Sequence, residues 1–179
     1  MSVIGRISLA GTNKEKDMGW LFGHYNRRSL VEHLISGNGL KTIKHCAVGN
    51  NLWCVHEFEG KRWACLYLLR GSPRIKDDPC NWGYKDVCEF SGPNEISFPH
   101  TWLELLSPTD SKYANEWRAR VKTRGRRLQA LTIGSRWRGY GHLFKILKRR
   151  SPTSFLVEDE RGREWKITAD QLLKIEKSE

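Results

Sequence analysis

Two turn signals set close together, Gly49-Asn50-Asn51 and Glu59-Gly60, divide the stretch from Leu40 to Leu69 into three largely apolar segments. Asn-Asn and Glu-Gly stand where tight turns want residues that tolerate positive φ. The segments Leu40–Val48, Leu52–Phe58 and Lys61–Leu69 therefore predict an antiparallel β-meander. The second and third are nearly apolar on both faces, so the meander should be covered on both sides.

Before it, Asn26 or Ser29 can cap a short helix. Leu30, Val31, Leu34 and Ile35 would form its apolar face, and Gly37 would stop it. After it, Gly71 to Pro99 reads as loop-rich, with Pro73, Pro79, Gly83, Gly92, Pro93 and Pro99. A short helix fits Trp102 to Leu106, ending near Pro108. A longer one fits Tyr113 to about Leu131, with Trp117, Val121, Leu128 and Leu131 as its buried stripe and Gly125 weakening its middle.

From Thr132 the hydrophobic period changes to two. Ile133–Arg138, Leu143–Lys148, Ser154–Glu158 and Glu164–Thr168 read as short strands, with a hairpin turn at Asp159-Glu160-Arg161-Gly162. A single helical turn, Ala169 to Leu172, precedes a last strand at Leu173–Glu176. This order resembles an SH3-like barrel of the Tudor or ribosomal KOW kind over about 45 residues. The expected fold is α+β, an antiparallel β-meander with helices followed by a small SH3-like β-barrel. The expected organisation is an N-terminal extension over residues 1–17, an α+β domain over 18–131 and the barrel over 132–179.

The charge is segregated. The chain of 179 residues carries a net charge of +11, and from Arg118 to Arg150 there are twelve Lys/Arg and no Asp or Glu. Solvated faces usually mix signs, so a long single-sign run is the footprint that phosphate binding requires. The expected partner is nucleic acid or another polyanion. Contacts are expected from Arg118, Arg120, Lys122, Arg124, Arg126 and Arg127 on the helix, and from Arg136, Arg138, Lys145, Lys148, Arg149 and Arg150 on the strands. Trp137, Tyr140 and Phe144 are interleaved with these cations and could stack on bases, although barrel core is the plainer role. A protein this basic cannot act as a DNA mimic.

No apolar stretch approaches the roughly 20 residues that cross a bilayer, and no secretory h-region of adequate length is present. The five cysteines are odd in number and form no Cys-x-x-Cys. Reduced thiols, a cytoplasmic location and no membrane partner are expected.

Three stretches, Met18-Gly19-Trp20-Leu21-Phe22, Asn51 to Glu57, and Trp82-Gly83-Tyr84-Lys85-Asp86 with Glu89 and Gly92-Pro93, resemble an uncharacterised family of small proteins encoded by bacterial plasmids and phages. The resemblance spans roughly Met18 to Val121. It implies a mobile-element origin and a role in the host's nucleic-acid traffic, defence evasion included, with a host defence protein or nucleoprotein complex as partner. It implies no reaction.

Two chemical alternatives remain. Lys85, Asp86 and Glu89, with Trp82 and Tyr84, could form an acid–base or metal-holding loop between Trp82 and Pro93. A packed loop is the plainer reading, because no nucleophile–base pair is identifiable. If Asn50-Asn51 and Glu59-Gly60 are both two-residue turns, His45 lies opposite His56 and Cys54 opposite Cys65. Those four are zinc's preferred ligand types, but cysteine is also a small core residue. No cofactor or metal is expected. No Walker A string, Gly-x-Gly-x-x-Gly, His-Glu-x-x-His or Gly-x-Ser-x-Gly is present.

Overall fold

The computed structural model describes residues 19–36, 39–72, 80–151 and 154–178. The expected extension over residues 1–17, Met18, the helix stop at Gly37, and Pro73 and Pro79 lie outside the described residues. The chain is α+β with two antiparallel sheets. Its contacts divide it into two units, Met1–Pro93 with Leu105–Thr109, and Asn94–Glu104 with Asp110–Glu179.

In the first unit the elements run β1 (Leu21–Phe22), α1 (Arg27–Ser36), β2 (Lys41–Val48), β3 (Asn51–Phe58), β4 (Lys61–Gly71) and β5 (Trp82–Cys88). The sheet order is β1-β5-β4-β3-β2, so the expected meander forms its larger part. Asn26 caps α1 by accepting the Ser29 N–H at 2.8 Å. Leu30 and Leu34 of α1 pack with Leu52, Cys54, Cys65, Tyr67 and Leu69 on one face of the sheet. On the other face Trp53, Val55, Ala64 and Leu66 are equally buried, as their apolar runs predict. Ser107 ties its segment to β4: its N–H donates to the Arg62 carbonyl, and its hydroxyl accepts from the Arg62 N–H.

Much of the stretch read as loop is a strand. Trp82-Gly83-Tyr84-Lys85-Asp86-Val87-Cys88 forms β5 between β4 and β1. Gly83 obscures its alternation for a steric reason. A Cβ there would sit 2.5 Å from the Phe22 ring and 2.6 Å from the Leu21 carbonyl, so only glycine lets β1 close on β5.

In the second unit a 3-10 turn begins at His100, followed by α2 (Lys112–Gln129), β6 (Arg136–Gly139), β7 (His142–Ser151), β8 (Ser154–Asp159), β9 (Glu164–Thr168), α3 (Ala169–Leu172) and β10 (Glu176–Ser178). The sheet order is β10-β6-β7-β8-β9. Its core is Trp137, Phe144, Ile146, Phe155, Val157, Ile167, Ala169, Leu172 and Ile175. Leu128 and Ala130 pack against that core, so α2 belongs with the second sheet and not with residues 18–131. Gly125 is also explained: a Cβ there would lie 2.2 Å from the His100 ring.

Two strand boundaries differ from expectation. Ile133 is exposed and sits in the turn before β6, where the Gly134 N–H donates to the Ile146 carbonyl at 2.7 Å. Residues 173–175 finish the helical turn with bonds to Ala169, Gln171 and Leu172, so β10 starts three residues later than predicted. The turn from β8 to β9 is built on buried Asp159. It accepts from the Arg161 and Arg163 N–H groups, the Arg163 guanidinium and the Trp165 indole. Burial alone would raise this carboxyl, but the Arg163 backbone, the Trp165 indole, the Arg163 side chain and the Arg161 backbone together hold it well below the usual carboxylate range.

Candidate nucleic-acid interface

Alternation along the second sheet sorts its side chains. Trp137 and Phe144 face each other across β6–β7 and are buried, so neither can stack on a base. Their neighbours take the outer face. Arg136 lies directly opposite Lys145, and Arg138 and Lys148 flank them on the same two strands. All four are exposed, and none has an ion-pair or hydrogen-bond partner among the residues whose side chains are described. Like charges directly opposite in a sheet repel and destabilise it, typically by a few tenths of a kcal/mol up to about 1 kcal/mol. The patch ends at β8, where Glu158 stands opposite Lys145 and is itself opposite Glu164 of β9. The sequence run contains no anion, yet pairing brings Glu158 opposite Lys145 and Glu176 of β10 opposite Arg138.

The other expected contacts divide. Arg124 pairs with Asp170 at 2.7 Å, and Arg127 donates to the Ile175 carbonyl at 3.3 Å, so both fasten α2 to α3 and the turn that follows it. Arg149 lies 5.5 Å over the Phe155 ring and donates to the Ser151 carbonyl. Arg118 and Arg120 are also engaged within the protein. Lys122 and Arg126 are exposed without a partner among the described residues, one helical turn apart. Like charges at that spacing repel, although Arg126 also faces the negative end of the helix dipole. Arg150 is exposed without a partner among the described residues. The expected twelve thus reduce to seven available cations, four of them on one sheet face.

The Trp82–Pro93 group does not form a cluster. Lys85 and Asp86 are adjacent in β5 and point to opposite faces. Glu89 is fully buried and accepts from the Ala64 N–H at 3.4 Å. Trp82 and Tyr84 pack beside the α1 face. The strand does place two other stretches near it in one sheet: Leu21 and Phe22 pair with Tyr84 and Gly83, and β3 lies one strand beyond β4.

The proposed zinc ligands do not converge either. The β3–β4 register puts Cys54 opposite Cys65 as expected. The β2–β3 turn, however, falls on Gly49-Asn50, and β2 carries a bulge between Thr42 and Lys44. His45 therefore faces Cys54, and Thr42 faces His56. His45, Cys54 and Cys65 stand in a line at roughly 5 Å per strand, whereas zinc requires donors about 2.0–2.3 Å from one point. Among the described residues, no group of three or more His, Cys, Asp or Glu is placed to hold a metal.

His56 has a different task. Thr42 gives its single hydroxyl proton to the Ile35 carbonyl at 2.8 Å, so it must accept from His56 Nδ1–H at 3.2 Å. Burial lowers the His56 pKa and keeps the ring neutral, which leaves Nε2 to accept from the Tyr67 hydroxyl at 2.9 Å. Burial also raises the Tyr67 phenol and pushes the Cys54 thiol up to about 12, making both inert near neutrality. An unfolded histidine takes its proton near pH 6.5, whereas folded His56 resists until lower pH. The unfolded chain then binds more protons, so this contribution to stability is complete above about pH 6.5 and is lost as pH falls through the folded value. Tyr67→Phe should cost about 1–3 kcal/mol by orphaning Nε2. Urea unfolding at pH 8 and pH 5 checks both: the midpoint should fall on acidification in the wild type, and less so in His56→Gln.

No family model matches the chain, and neither a curated protein nor a solved structure matches it significantly. No helix among the described residues is long and apolar enough to cross a membrane.

Proposed function

We propose that this protein is a non-catalytic nucleic-acid-binding protein whose second unit grips phosphates with the outer face of β6 and β7. One observation carries the reading: Arg136 and Lys145 stand opposite each other between Arg138 and Lys148, exposed and in no ion pair among the described residues. A phosphate over this pair would turn a repulsive contact into two charge-assisted hydrogen bonds. Such contacts give affinity without sequence choice.

Two features support reading the second unit as an SH3-like barrel. Its fifth strand returns beside its first, and a helical turn capped by Thr168 and Gln171 precedes that strand. The resemblance of the first unit to plasmid- and phage-encoded proteins supplies the setting, in which the bound nucleic acid or nucleoprotein belongs to traffic between a mobile element and its host. The enzyme alternative loses support because Lys85, Asp86 and Glu89 do not meet.

Fluorescence anisotropy with labelled oligonucleotides of two unrelated sequences tests the reading, with poly-glutamate as competitor. Similar affinities for both oligonucleotides, with weak competition by poly-glutamate, are expected. Binding to poly-glutamate alone would reassign the patch to an acidic protein.

A further inference from the structure

We infer that Tyr140 is a base-stacking platform that directs the phosphate-binding face toward single-stranded nucleic acid. This rests on the reading just proposed and names its substrate class. Tyr140 forms the tip of the β6–β7 hairpin with Gly141, and both have positive φ, +53° and +76°, as a type I′ turn requires. Glycine, asparagine and aspartate suit the first of those positions, whereas a bulky aromatic there is strained. Among the described residues only Glu59 and Tyr140 take this conformation without being glycine.

The strained ring gains nothing visible from the fold. Tyr140 is 63% exposed, and among the described residues its side chain makes no ring contact or hydrogen bond. Trp165 provides the contrast. It is also exposed, at 43%, but Arg163 covers its ring at 5.4 Å and Asp159 holds its indole N–H. Trp137 and Phe144 are core. Tyr140 is thus the one aromatic of the basic strands open to a base.

The tip is also held in place. Glu160, on the neighbouring turn, accepts the Leu143 N–H at 2.9 Å and contacts the His142 ring at 3.4 Å. Arg138 lies two residues before Tyr140 on the cationic face. A strand whose phosphates follow β6 and β7 would bring a base to the ring. Every base has a π-face, so stacking there needs no particular sequence, but it does need an unpaired base.

The test compares a 12-nucleotide single strand with a 12-base-pair duplex in wild type, Tyr140→Asn, Tyr140→Phe and Arg136→Glu/Lys145→Glu. Asparagine suits the turn, so Tyr140→Asn should melt no lower than wild type, which keeps folding out of the result. It should bind the single strand roughly fivefold to a hundredfold more weakly, with duplex binding unchanged, while Tyr140→Phe binds like wild type. If Tyr140→Asn keeps full single-strand affinity while the double charge reversal removes it, the stacking inference falls and phosphate binding stands. If wild type binds neither strand, both fall.

Discussion

Reversing Arg136 and Lys145 together to glutamate should weaken nucleic-acid binding by roughly sixtyfold or more at 0.1 M salt. Each phosphate contact contributes about 0.9 to the slope of log K against log[salt], so two lost contacts remove about two powers of salt dependence. Reversal adds repulsion from two new anions beside Glu158. The loss should be equal for unrelated sequences, because phosphates carry no base information. The fold should tolerate the change: both side chains are exposed, and surface substitutions usually stay within about 0.5 kcal/mol. Removing the like-charge pair through Arg136→Glu alone should even stabilise the sheet slightly, since the new carboxylate would stand opposite Lys145. A thermal melt beside the binding titration separates lost contacts from lost folding.

The second large effect is on stability. Trp117 is fully buried in α2, its indole N–H donates to the Glu95 carbonyl at 3.0 Å, and its ring packs 5.4 Å from that of Phe98. Trp117→Ala removes the transfer free energy of an indole, leaves a cavity and orphans the Glu95 carbonyl. Its cost should be about 3–5 kcal/mol. That is a large share of the roughly 5–15 kcal/mol that holds a typical domain folded. Tyr113→Ala, one turn earlier and exposed at the start of the same helix, should change stability little. Chemical unfolding of both variants measures the difference. Equal midpoints would mean that Trp117 does not anchor α2.

The meander could be read from its turns because Glu59-Gly60 and Gly49-Asn50-Asn51 act locally and their neighbours are apolar on both faces. The strands of the second sheet could be read from their alternation for the same reason. Three features could not, and each depends on contacts distant in sequence. Gly83 reads as a turn former until β1 is seen to close on it. His45 misses His56 because a one-residue shift of the turn moves its partner two residues along β3, to Cys54, without changing the face. The cations of residues 118–150 look equivalent in sequence, yet Arg124 and Arg127 are taken by Asp170 and the Ile175 carbonyl, elements some 46–48 residues away. Among the side chains that remain available, two pairs are cationic neighbours, Arg136 with Lys145 across the strands and Lys122 with Arg126 one helical turn apart. Arg136/Lys145 and Lys122/Arg126 could be recognised only after register and helix phase were known.

The most direct measurement of the central claim is the affinity of the wild-type protein for one oligonucleotide across a salt series from 50 to 200 mM. Four phosphate contacts from Arg136, Arg138, Lys145 and Lys148 predict a log–log slope near about −3.6, a loss of roughly a hundredfold or more over that range. The Arg136→Glu/Lys145→Glu variant should show a slope shallower by about two. A wild-type slope near zero, or no binding to DNA or RNA at 50 mM salt, would contradict the assignment of this face to phosphates.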